Sequence, residues 1–275
     1  MTRDSLVKTV VSTYEKLKTE WTKKNRNLDT CGKFLSDIKV ELTKLHFLPS
    51  MGHSVSKEEL LVARNTLEIG ALWSIANKDI PSFERYIAML KIYYMDYSEQ
   101  LPESAYMYEL LGLDLLCLLA QNKVGEFHTS LEHLPPPAVT DNVYIRHPVA
   151  MEQYLMEGAY NKIYLAKGEI YLAKGEVPAE GYKFFIEELL STIREDIADC
   201  VENAYDRIRP EDIGKMLYLS GTKEILEYCA QRGWEVAKDG YLQFKKEVRK
   251  NDDSIPSKEL AHQMINYARE MEQIV

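Results

Sequence analysis

A catalytic or metal centre in this chain would have to be assembled from its six histidines, its four cysteines and a few acidic pairs. His46 and His53 are separated by the helix breakers Pro49 and Gly52. His128 and His133 are five residues apart, ~140° around a helix, so they face different ways and form no metal pair. His147 precedes Pro148 and reads as a helix start. Packing or surface roles are the expectation for all six. Cys31, Cys117, Cys200 and Cys229 form no CxxC pair and read as reduced, mostly buried small side chains. Glu187-Glu188 and Glu195-Asp196 are sequence neighbours, which point to different helix faces and form a solvated surface, not an acid/base pair. There is no GxxxxGK loop, no HExxH and no GxSxG elbow. The chain is therefore expected to have no catalytic, cofactor-binding or metal-binding residues and not to be an enzyme.

Composition narrows the field further. With 43 acidic and 34 basic residues the formal charge is -9, which disfavours general affinity for nucleic acid or anionic membrane. A 45% hydrophobic, 28% charged chain of 275 residues is globular and fits one extended domain or two ordinary ones. Met1-Thr2-Arg3-Asp4 leads into a polar helix and not a signal peptide. The most apolar run, Leu110 to Ala120, contains Asp114 and falls far short of the ~20 residues that span a bilayer. The expected location is cytoplasm and nucleus.

The first two-thirds reads as consecutive helices. Leu6, Val10, Tyr14, Leu17 and Trp21 make one apolar stripe on a helix from about Asp4 to Lys24. Phe34, Leu35, Ile38, Leu42 and Leu45 make another from Cys31 to Phe47. Further helices are expected at Glu58–Ile75, Ser82–Tyr97, Ser104–Gln121 and Val124–His133, joined by short links. Short links force antiparallel neighbours, and a row of such pairs is an α-solenoid of degenerate, TPR-like helical repeats. Small residues at Gly70 and Ala71 are placed to receive large ones such as Phe83 and Tyr86. The triplet Pro135-Pro136-Pro137 is expected to end the stack.

A second pattern follows Pro178. Phe184 to Tyr205 reads as a long helix burying Phe185, Leu189, Ile193, Ile197, Cys200 and Val201. Two shorter helices follow, Glu211–Leu219 entered through Pro210 and Thr222–Arg232 with Thr222 as N-cap and Gly233 as stop. Trp234–Ala237 and Tyr241–Phe244 then flank Lys238-Asp239-Gly240. A three-residue loop with Gly240 left-handed pairs Trp234 with Phe244 and Val236 with Leu242 on one face; a two-residue loop would break that pattern. Helices followed by such a hairpin make a winged helix. From Glu211 to Lys246 it carries six basic and six acidic residues, too neutral a face for the phosphate contacts of nucleic-acid binding. Pairing of a strand edge with another protein is the better reading.

After a polar link, a final helix from Lys258, with Ser257 as N-cap, carries Leu260, Met264, Tyr267, Met271 and Ile274 at spacings of four, three, four and three. That is a heptad seam. So short a helix is marginal alone, so the seam requires a partner. The expected division is a repeat domain over 1–177, a winged helix over 178–246, a linker over 247–256 and a bundle helix over 257–275. One internal duplication, IYLAKGE at Ile163–Glu169 and again at Ile170–Glu176, reads as a longer spacer.

Several long runs carry a family likeness: EIGALWSI (Glu68–Ile75), FERYIAMLKIYY (Phe83–Tyr94), ELLGLDLLCLLAQNKVGEFHTSLEHLP (Glu109–Pro135), HPVAMEQYLMEGAYNKIYLAKGE (His147–Glu169), IREDIADCVENAY (Ile193–Tyr205), QRGW (Gln231–Trp234) and IPSKELAHQMINYAREMEQIV (Ile255–Val275). With the layout of repeats, winged helix and terminal helix, they resemble the PCI family, which scaffolds the proteasome lid, the signalosome and a translation initiation factor. The likeness is nearest to the proteasome-lid branch. It implies a non-catalytic structural subunit acting in lid assembly and ubiquitin-dependent degradation. Its implied partners are other PCI-type lid subunits, held through winged-helix edges (Trp234, Val236, Leu242, Phe244) and a shared C-terminal bundle (Leu260, Met264, Tyr267, Met271, Ile274), near a ubiquitin receptor. Nucleic acid and membrane are not implied. The second IYLAKGE copy departs from the family pattern.

Overall fold

The computed structural model describes residues 3–23, 26–44, 56–98, 100–165, 179–219, 221–237, 239–244 and 256–273. The described chain is mostly helical and divides into two compact units, Met1–Asp196 and Ile197–Val275.

The first unit opens with α1 (Arg3–Trp21) and α2 (Leu28–Lys44), whose stripes bury Val10 and Leu17 against Cys31, Leu35, Ile38 and Leu42. Then come α3 (Lys57–Ala76), α4 (Ile80–Met95), α5 (Met107–Ala120) and α6 (Val124–Glu132). Each helix from α1 to α5 packs on the next in sequence. Asp79 starts α4 by accepting the Ser82 N–H at 3.2 Å, and the Ser82 side chain first, then this N–H, hold its carboxyl below the usual range. The small-against-large pattern is realised in detail. Tyr86 lies on Gly70, where a Cβ would collide with its ring, and Trp73 lies on Gly32 while donating to the Leu28 carbonyl at 2.8 Å. Buried α5 carries Asp114, which is paired with Lys91 of α4 at 2.8 Å.

The proline triplet does not end the stack. Pro135 is the N-cap and Pro136 the first residue of a short helix α7 (Pro136–Asp141), an early position where a missing N–H costs nothing. Beyond it α8 (Val143–Met156), capped by Asn142, packs on α5 with Ile145 and Met151 buried. His147 is also not a helix start: it lies with Pro148 inside α8. A proline there leaves the carbonyl four residues back, that of Tyr144, without its helical donor. The Tyr182 hydroxyl supplies one, at 3.2 Å. The helix α9 is described over residues 160–165; most of the IYLAKGE duplication lies outside the described residues.

The long helix α10 runs Ala179–Ala204, and the boundary between the two units falls within it. It buries Tyr182, Phe185, Ile186, Leu189, Leu190 and Ile193, then Ala198 and Val201. Cys200, expected on the buried side, is exposed. Ala198 lies ~140° around the helix from Ile193, so the covered face turns where the second unit's elements take over the covering. Position relative to neighbours, and not continuation of the stripe, decides which side chain is covered.

The second unit adds β1 (Arg207–Ile208), α11 (Pro210–Met216), α12 (Thr222–Arg232), β2 (Glu235–Val236), β3 (Leu242–Gln243) and α13 (Ser257–Gln273). Thr222 is the first residue of α12 and not its cap; Gly221 holds the cap position. Gly233 closes the helix at φ 73°. The hairpin has the expected register, Val236 opposite Leu242, with Gly240 at φ 77°. A strand that the sequence did not signal, β1, pairs antiparallel with β3, so the sheet order is β1-β3-β2.

Candidate partner-binding surfaces

Several of the described groups that could do chemistry are engaged in structural contacts, whereas Cys200 is exposed and His46 and His53 lie outside the described residues. His128 faces Glu152 at 3.3 Å and His133 sits 2.6 Å from the Thr129 carbonyl, each in its own contact. Burial raises the thiols of Cys31 and Cys229, and pushes Cys117 up to about 12 with Asp114 and Glu84 adding to the effect. A thiol held that high carries no thiolate at neutral pH and is inert. Among the described residues no cluster of three or more His, Cys, Asp or Glu could hold a metal, and no helix is long and apolar enough to cross a membrane. Buried Arg64 and Glu68 of α3 are tied into the fold: Tyr94 donates to Glu68 at 2.9 Å and Arg64 to the Pro102 carbonyl at 2.5 Å.

The expected partner-binding residues fall into two sets with different environments. In the hairpin, Trp234 and Leu242 join Ala198, Ile208, Ile213, Leu217, Ile225 and Cys229 in the core of the second unit. Trp234 donates its indole N–H to Glu202 at 2.7 Å and meets Phe244 edge-on at 5.1 Å. Arg232, paired with Asp199 at 2.6 Å, ties the end of α12 to α10. Phe244 is half-buried and the Val236 side chain lies outside the described ones. These aromatic and aliphatic groups therefore hold the sheet together. Leu242 lies on the central strand, whereas β2, with Glu235 and Val236, is at an edge. What this sheet can offer another chain is main-chain edge, at β2 or β1.

The α13 set is arranged in the opposite way. Every described residue of this helix is exposed, and no side chain on it is buried. Leu260 is 49%, Met264 69%, Tyr267 63% and Met271 52% accessible, in one stripe at the heptad spacing read from the sequence. Ile274 lies outside the described residues. Ile265, at 63%, was missed by the sequence reading. It stands ~100° from Met264, between Ala261 and Ala268, and widens the stripe beyond a two-helix seam. The missed signal was small residues flanking a β-branched one on the next row of the helix. A helix of 17 residues with no covered face gains nothing from burial, and its apolar side chains stay in contact with water.

Residues 105–253 match the CSN8/PSMD8/EIF3K family, and the chain belongs to that family. It is 38% identical to the 26S proteasome non-ATPase regulatory subunit 8 homolog A of Arabidopsis thaliana, over 95% of this chain and 96% of that one. It is 32% identical to the 26S proteasome regulatory subunit rpn12 of Schizosaccharomyces pombe, over 91% of this chain and 94% of the relative. It is also 32% identical to the 26S proteasome non-ATPase regulatory subunit 8 of Caenorhabditis elegans, over 93% and 96%.

Proposed function

We propose that the chain is a non-catalytic structural subunit of the proteasome regulatory-particle lid, acting in lid assembly and so in ubiquitin-dependent degradation in cytoplasm and nucleus. The observation that carries this reading is the uncovered apolar stripe of α13. Burying a Leu, Met or Ile side chain is worth about 1.5–3 kcal/mol, so the stripe has a large free energy to release into a bundle of foreign helices. The relatives are named as 26S proteasome regulatory subunits, which supports that assembly as the source of the helices.

In this proposal the helices of the first unit stack as an α-solenoid and the second unit is a winged helix whose β1 or β2 edge pairs with neighbouring PCI-type subunits. The division at 177, 246 and 256 belongs to the same proposal, as does a place near a ubiquitin receptor. Deleting Ser257–Val275 tests it. The truncated chain should keep the Tm of the full chain yet fail to co-purify with lid subunits or migrate with them on a native gel. Normal incorporation of the truncated chain would overturn the assignment of α13.

The family description also names CSN8 and EIF3K, so a second reading places the same fold in the signalosome or a translation initiation factor. Mass-spectrometric identification of the proteins that co-purify with the full chain separates the two.

A further inference from the structure

Within the first unit, residues of α1, α3, α5 and α10 border a half-open cavity of about 440 Å³. Its walls are aliphatic and aromatic, with Trp21, Leu72, Ile75, Leu113 and Phe184 among them. Trp21, Leu72 and Phe184 are only half-buried, so part of each side chain is available to an occupant.

One acid lines this cavity: Glu109, half-buried in the first turn of α5. Among the described residues no ion pair and no hydrogen bond reaches its carboxylate. Burial raises its pKa, and no neighbouring charge opposes the shift. A desolvated carboxylate without a counter-ion costs stability, and a cation delivered to it recovers that cost. Neither of its oxygens is sealed inside the protein, so a donor entering the cavity can reach them. The other charged side chains of the lining are Arg26 and Lys78, both exposed. Arg26 lies over the Trp21 ring, 4.6 Å from its centroid. The cavity therefore carries its negative charge on a half-buried wall and its positive charges at the solvent boundary.

We infer that this cavity receives an arginine side chain of a partner polypeptide, at a place where the arginine is flanked by acidic residues. The guanidinium donates to Glu109 and stacks on Phe184, its stem lies against Leu72 and Leu113, and the flanking carboxylates meet Arg26 and Lys78. Arginine suits the site better than lysine, because its paired donors match a carboxylate and its plane stacks on an aromatic ring. A free organic cation would satisfy Glu109 but would leave both boundary cations unanswered and repelling it. A segment of mixed charge complements all three groups at once. Arginine is also one of the side chains that most often anchor a protein interface by filling a pocket. This contact uses neither α13 nor the strand edges, and it does not depend on which assembly takes up the chain.

The probes are a blocked Glu-Leu-Arg-Leu-Glu peptide and its counterpart with norleucine in place of arginine, each added to the full chain and followed by NMR shift perturbation. The arginine peptide should bind saturably, with shifts centred on Trp21, Leu72 and Leu113. The norleucine peptide should bind about tenfold more weakly, the worth of one charge-assisted hydrogen bond. Glu109→Gln keeps the shape of the side chain and should leave Tm no lower, because it removes an uncompensated carboxylate. It should also abolish the difference between the two peptides, which loss of a merely structural residue would not do. Lys78→Met should weaken both peptides and preserve their ratio. No saturable binding of the arginine peptide overturns the inference, as do equal affinities for the two peptides or an undiminished preference for arginine in Glu109→Gln. Arginine amide bound as tightly as the peptide overturns it in favour of a site for a free organic cation.

Discussion

The Tyr182 hydroxyl donates to the backbone carbonyl of Tyr144, standing in for the N–H that Pro148 lacks. The two residues are 38 positions apart and on different helices. Gly112 of α5 makes room for the arrangement, since a Cβ there would lie 2.5 Å from the Tyr144 oxygen. An irregularity in one helix, a hydroxyl on another and a missing side chain on a third thus form one device. It joins α5, α8 and α10 within the first unit.

Tyr182→Phe should cost about 1 kcal/mol, because the part-buried carbonyl is left without its donor. In a Pro148→Ala background, where residue 148 regains its own N–H, the same substitution should cost clearly less. Urea melts of the four proteins in a double-mutant cycle measure the coupling; strictly additive costs would mean that the hydroxyl does not replace the lost donor.

Lys91→Met should strand the buried Asp114 carboxylate and destabilise the chain at neutral pH by about 3 kcal/mol, the low end for a broken buried pair because Lys91 is partly open to water. Burial already raises the Asp114 pKa, and loss of Lys91 removes the chief opposing influence. A carboxyl whose folded pKa lies above its unfolded value is most stable when protonated. The penalty should therefore be complete above the raised folded value and disappear as pH falls toward the ordinary carboxylate range near ~4. Chemical denaturation of wild type and variant between neutral and mildly acid pH would reveal it as two converging stability curves.

Trp234→Ala should cost the second unit about 3–5 kcal/mol, since it empties a core position and frees Glu202. Hydrogen exchange should report faster opening of α11, α12 and the sheet, with protection of α3 to α5 retained. Uniform loss across both units would show that they unfold as one.

Met264→Ser combined with Tyr267→Ser should change the unfolding free energy by no more than about 0.5 kcal/mol, because neither side chain is covered. Incorporation into the lid, scored by co-purification, should fall sharply.

Much of the fold was legible because period dominates where helices bury one stripe. Val10, Leu17, Leu35, Ile38 and Leu42 are buried as their spacing requires. The apolar pattern, with Val236 matched to Leu242, selects both the hairpin register and the longer loop, and Gly240 takes the left-handed conformation that loop requires. The errors share a physical origin. The Pro135–Pro137 triplet reads as a stop and His147-Pro148 as a helix start, although Pro136 sits where no N–H is needed and the donor that Pro148 lacks is replaced from 34 residues away. The strand β1 has two residues and one buried side chain, so it has no period to detect. Cys200 continued a stripe whose covering neighbours had changed. As for the surfaces, spacing revealed the stripe on α13, but it did not separate aromatic residues that hold the sheet together from residues a partner could touch. That distinction depends on what lies across from each side chain.

Because no described side chain of α13 is covered, drift in that segment is invisible to the forces that keep the rest of the described chain folded. Substitutions there escape the usual conflict between robustness and interaction, in which a new contact surface is gained by weakening a core. The helix is thus free to change in step with whatever grips it, and its sequence is a record of its neighbours more than of its own molecule.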